Sequence, residues 1–157
     1  MVEAVVEQVV AQIGPDGERL VVVAGPPGAG KSKVLRHVRD KTGAPLVNVM
    51  SILSRRLYHL SEAQRINQLP EVLRELINSY SESMLLLDDI DLLFNESLGH
   101  DPLSLLEMMS QDKTLVVAWP GIVQDKELTY AIPGHPEYKR YPLGRFSLVM
   151  VEPSRDY

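Results

Sequence analysis

Cysteine is absent from this chain of 157 residues, which excludes disulfides and thiolate metal sites and accords with a reducing compartment. Basic residues are in the minority: 16 Lys and Arg stand against 21 Asp and Glu, for a net charge of −5. That balance argues against coating nucleic acid by bulk electrostatics and leaves room for DNA contact only at a local basic patch. No apolar run approaches the length of a membrane span, and Met1-Val2-Glu3 lacks the basic start of a signal peptide. The expectation is a cytoplasmic protein with no membrane contact. His135 has no other histidine at ligand spacing, so no metal site is assigned to it. The length suits one domain, 1–157, able to bury roughly two-thirds of its unfolded surface.

What is present centres on Gly25-Pro26-Pro27-Gly28-Ala29-Gly30-Lys31-Ser32, which satisfies the phosphate-binding pattern G-x-x-x-x-G-K-[ST] and directly follows the apolar run Leu20 to Ala24. Glycines at 25, 28 and 30 are expected to take positive φ and bring backbone N–H groups against phosphate oxygens, at the positive end of the helix that follows. Pro26 and Pro27 stiffen the approach. Lys31 reaches the β and γ phosphates, the Ser32 hydroxyl ligates Mg2+, and Lys33 closes the expected contact set for ATP or ADP.

Met84-Leu85-Leu86-Leu87-Asp88-Asp89 reads as a buried parallel strand ending in acid at its carboxyl edge, where open α/β sheets bind ligands. Asp88 is the expected magnesium carboxylate, and Asp89 stands where a water-polarising glutamate is common, one methylene shorter. Lys31 and Asp89 are therefore the expected catalytic residues, Ser32 and Asp88 the expected metal ligands, and Asp91 a further carboxylate for the same task.

Around these motifs, Val2, Val5, Val6, Val9, Val10 and Ile13 form one stripe of a helix over 2–13, ended by Gly14-Pro15. Val34, Leu35 and Val38 mark the helix after the phosphate loop, closed by Gly43. Ala44 to Met50 reads as a second strand, and 51–80 as two helical pieces, with a capping box at Ser61 and Gln64 and a new helix beginning at Pro70. Arg55 and Arg56 offer either a phosphate or partner contact or a solvated helix face. Asp101-Pro102 opens a short helix, Thr114 to Ala118 is a buried strand, 122–144 an insertion or hairpin, and Arg145 to Val151 the last strand. Trp119 directly follows the strand at Thr114 to Ala118, with stacking on a base or packing at the sheet edge as its alternatives.

The phosphate loop resembles those of AAA+ ATPases and small nucleoside-type kinases; the strand with two terminal carboxylates fits the AAA+ side better. That likeness implies a three-layer α-β-α domain with a central parallel five-stranded sheet, order 5-1-4-3-2, and, with few residues after the last strand, no helical lid. The runs Leu53-Ser54-Arg55-Arg56-Leu57, Leu85 to Phe94, Asp101-Pro102-Leu103, Ala118-Trp119-Pro120-Gly121, Leu128-Thr129-Tyr130 and Gly134-His135-Pro136-Glu137-Tyr138 resemble BrxF, the family of small P-loop proteins of type 3 BREX bacteriophage-exclusion systems. This resemblance implies an ATP-binding component of an antiphage complex, working with other BREX proteins. A nucleotide-binding scaffold with little hydrolysis and a small-molecule kinase are the alternatives. Without a lid, the site is expected to be completed by self-association or a partner, with Arg140 or Arg145 as trans-acting arginines.

Overall fold

The computed structural model describes residues 2–13, 19–95, 98–131 and 137–152. In chain order the first elements are α1 (Val2–Gln12), β1 (Leu20–Ala24), α2 (Lys31–Thr42), β2 (Leu46–Asn48), α3 (Val49–Leu57), α4 (Glu62–Asn78) and β3 (Met84–Asp88). A short 3-10 turn (Asp91–Phe94) leads to α5 (Pro102–Met109), β4 (Thr114–Trp119), β5 (Val123–Gln124), β6 (Glu127–Tyr130), β7 (Lys139–Pro142) and β8 (Ser147–Met150).

Five of these strands form one parallel sheet in the order β2-β3-β4-β1-β8. Counted among themselves and read from the other edge, they run 5-1-4-3-2, the order expected from the family likeness. All five residues of β1 are buried, as a strand covered on both faces requires. Alternation along the strands divides the core in two. Val21, Val23, Leu86, Val116, Ala118 and Val149 meet Val6 and Val9 of α1 and Val34, Leu35 and Val38 of α2. Leu20, Val22, Leu85, Leu87, Leu115 and Val117 meet Leu53 and Leu57 of α3, Leu73 and Ile77 of α4, and Leu103 and Leu106 of α5. The result is three layers, helix on sheet on helix. Strands β5, β6 and β7 make a separate antiparallel sheet beyond the end of β4.

Three local expectations are corrected. The second strand is only Leu46–Asn48, because the Asn48 side chain accepts from Ser51 N (2.9 Å) and starts α3 at Val49. Pro70 does not begin a helix but lies inside α4, which runs unbroken from the capping box formed by Ser61 and Gln64. A proline at 70 cannot donate to the carbonyl of residue 66. His100 Nε2 takes that place, 2.5 Å from Ile66 O, so the helix continues across the proline. The last strand is shorter than Arg145 to Val151, spanning Ser147–Met150. The helix stop expected at Gly14-Pro15 and residues 132–136, which include His135, lie outside the described residues.

Candidate functional site

Strands β1, β3 and β4 all point their carboxyl ends the same way, and the loops that leave them converge on a cavity of about 480 Å³. It is lined by Pro27, Lys31 and Ser32 from the loop and α2, by Asp88, Asp89 and Asp91 after β3, and by Ala118, Pro120, Tyr130 and Ala131 from β4 and the small sheet.

The loop is shaped by two glycines in the left-handed region, Gly28 at φ 81° and Gly30 at φ 100°, and closed by Ala29 N donating to Pro26 O (3.1 Å). Gly25 is not among the positive-φ glycines, against the expectation for it. It is glycine because a Cβ there would lie 2.3 Å from Val151 O, just past the end of β8. Gly25 N donates to Gly121 O (2.9 Å), joining the loop to the end of β4.

Lys31 is half-buried, and its Nζ donates to Gly25 O (2.5 Å) and Trp119 O (2.7 Å). Burial holds its pKa below the ordinary lysine value, opposed by the nearby charges of Asp91 and Asp88. Ser32 lines the cavity beside it, whereas Lys33 is exposed and is not among the lining residues.

At the end of β3, Asp88 Oδ1 accepts from the Asp89 backbone N–H (2.9 Å). Asp89 sits at φ 52°, a left-handed conformation that aspartate tolerates better than most residues. Its Oδ2 accepts from Asn48 Nδ2 (2.7 Å), and its carbonyl accepts from Met50 N (3.0 Å). Asn48 is the site residue that motif reading missed; its signal was the N-cap spacing to Ser51 directly after an apolar run. Burial and then the Asp89 charge push the Asp91 carboxyl above its ordinary value.

Trp119 is fully buried, packing rather than facing the cavity. Its Nε1 donates to Thr129 O (2.9 Å), and its ring meets Phe94 and Tyr141 edge-on at 5.0 and 5.7 Å. Among the described residues, no cation other than Lys31 lines the cavity. Arg140 pairs with Glu127, Arg145 with Glu107, and Arg56 with Glu75, while Arg55 donates to Ser51 O. Among the described residues no group of three or more His, Cys, Asp or Glu side chains could hold a metal by itself.

Residues 21–120, which carry the phosphate loop, the carboxylates after β3 and the end of β4, match the ATPase family associated with various cellular activities (AAA). The chain belongs to the AAA ATPase family. Its sheet order and phosphate loop are those of an AAA nucleotide-binding ATPase domain. The AAA chain is 30% identical over 118 residues to the ATPase family gene 2 protein homolog B of Bos taurus, covering 75% of this chain and 15% of the relative. Solved AAA-type neighbours include the FIGL-1 AAA domain in complex with ADP (TM-score 0.48, 20% identity, 94% of this chain and 48% of that one). Another is katanin, in a structure describing its self-assembly (TM-score 0.45, 21% identity, 94% and 45%). The chain thus spans a small part of the curated relative and less than half of these structures. No helix among the described residues is long and apolar enough to cross a membrane.

Proposed function

We propose that this AAA domain binds ATP through residues 25–33 and hydrolyses it slowly, under the control of partner proteins. The observation that carries the reading is one cavity holding the P-loop lysine, the P-loop serine and three carboxylates of the β3 edge. Lys31 is poised on two carbonyls, and an incoming phosphate replaces them with a stronger, charge-assisted partner. Phosphate charge also restores the lysine pKa that burial lowers.

Ser32 and Asp88 supply the hard oxygen donors suited to a magnesium ion that arrives with the nucleotide and keeps most of its waters. Such an ion, when bound, neutralises charge on the phosphate oxygens. Asp89 is the base that orients the attacking water, and Asn48 sets its direction through the 2.7 Å bond. The same bond, on a carboxylate one methylene short, favours the second reading: a nucleotide-binding scaffold with little turnover.

No arginine lines the cavity among the described residues, which supports completion by a second copy or a partner, with Arg140 or Arg145 exchanging its internal glutamate for a neighbour's phosphate. The likeness to BrxF in Ala118-Trp119-Pro120-Gly121 supports a place among BREX defence proteins. Single-turnover measurement with labelled ATP tests the reading. Phosphate release that disappears in Lys31→Ala and Asp88→Ala is the expected result, while tight binding without release selects the scaffold. Light scattering with and without an ATP analogue tests self-association; a strict monomer whose turnover ignores both Arg→Ala changes removes the trans-arginine proposal.

A further inference from the structure

The cavity poses an electrostatic problem. A nucleoside triphosphate brings its terminal phosphate, the most negative part of the ligand, to a place where Asp88, Asp89 and Asp91 already gather. Beside the loop N–H groups and a magnesium ion, side-chain donors help offset that repulsion, and the described lining residues provide three: the Lys31 ammonium, the Ser32 hydroxyl and the Tyr130 phenol. Lys31 is shared between phosphates and Ser32 belongs with the metal in the reading above, on which this inference rests. The end of β4 adds nothing. Ala118 has no polar side chain, the Trp119 indole N–H is committed to Thr129 O, and Pro120 lacks a backbone N–H.

We infer that the Tyr130 hydroxyl, delivered by the small sheet rather than by β4, is the donor that recognises the terminal phosphate and separates ATP from ADP in this site. The position of this phenol is fixed from three sides. Its ring stacks on Phe94 with centroids 3.8 Å apart and planes at 22°, and Phe94 ends the 3-10 turn that Asp91 begins. The preceding residue is held at both backbone groups, Thr129 N donating to Ile122 O (2.8 Å) and Thr129 O accepting from Trp119 Nε1 (2.9 Å). Ala131, at φ 64°, turns the chain immediately afterwards. A side chain locked in this way loses little entropy on binding. Burial, then the charges of Asp91 and Glu137, raise the phenol pKa. The group therefore stays protonated at neutral pH and donates.

Tyr130→Phe keeps the ring on Phe94 and removes only the hydroxyl, so it separates recognition from packing. Titration of the full chain with Mg2+ and either β,γ-imido-ATP or ADP gives the readout. The expected result is affinity for the imido analogue lowered by about tenfold or more, as for a lost hydrogen bond to a charged group, with ADP affinity within about twofold of wild type. Unchanged affinity for the analogue, or equal weakening of both nucleotides, overturns the inference while leaving nucleotide binding intact. A wild-type chain that binds neither nucleotide overturns the inference together with the reading on which it rests.

Discussion

The Asn48 side chain is used at both of its ends, its oxygen capping α3 and its amide holding Asp89. Substitutions can separate the two uses. Asn48→Ala loses both, and its stability is expected to fall by about 1 kcal/mol, read as a lower urea midpoint at unchanged slope. Asn48→Ser keeps a capping oxygen without the amide, so its stability is expected to stay within about 0.5 kcal/mol while kcat of the proposed hydrolysis drops about tenfold through loss of Asp89 orientation. Glycines at the same site make a second contrast. A Cβ on Gly121 would meet Thr129 O at 1.7 Å, whereas one on Gly28 meets open space at φ +81°. Gly121→Ala is expected to cost more than about 3 kcal/mol or to prevent folding, and Gly28→Ala about 1 kcal/mol of backbone strain. Thermal midpoints of the two variants check the order.

At the scale of elements, α4 depends on a residue from outside itself. His100→Ala removes the donor facing Ile66 O and is expected to destabilise by about 1 to 2 kcal/mol. In a Pro70→Ala background the residue at 70 regains its own N–H, so the same histidine change should cost less than half as much, a coupling that a double-mutant cycle in urea measures. The helix start that the sequence suggests at Pro70 fails for this reason: local propensity is correct that a proline leaves a carbonyl unpaired, and the partner that repairs it stands 34 positions away in sequence. The elements that sequence did reveal are those with strong local signals. The phosphate loop, the apolar-to-acid edge at Asp88, the Ser61 capping box and the Gly43 terminus each carry their information within a few residues. What stayed hidden was pairing at a distance. Tyr130 reads as one more alternating strand residue until β6 is seen to pass the cavity, and Asn48 as strand until Asp89 is seen beside it.

Across the whole molecule, the small sheet is fastened to the main body by Tyr141 Oη donating to Asp101 Oδ1 (2.6 Å), at the N-cap of α5. Burial pushes the Asp101 carboxyl up, but the hydrogen bonds from Tyr141 and Ser104 prevail and leave its pKa below the ordinary 3.8. A depressed carboxylate contributes stability that is present above pH 3.8 and lost as pH falls through the folded value. Tyr141→Phe is therefore expected to be about 1 kcal/mol less stable than wild type near neutrality, the figure discounted for the exposure of Asp101. That difference should shrink as the solution is acidified below 3.8. Urea unfolding across that pH series is the check, and a constant difference would place the interaction outside the titration of Asp101.

The pairing of β1 with β4 on one side and β8 on the other also dictates when the chain can become competent during synthesis. The phosphate loop is made before β8, and until β8 docks the wholly apolar strand beneath the loop keeps one unpaired edge, which is an aggregation site. Val151 N donating to Ala24 O (2.8 Å) is the last stitch beside Gly25. A nascent chain halted before Ser147 therefore carries the complete loop sequence but lacks the β8 side of its cradle.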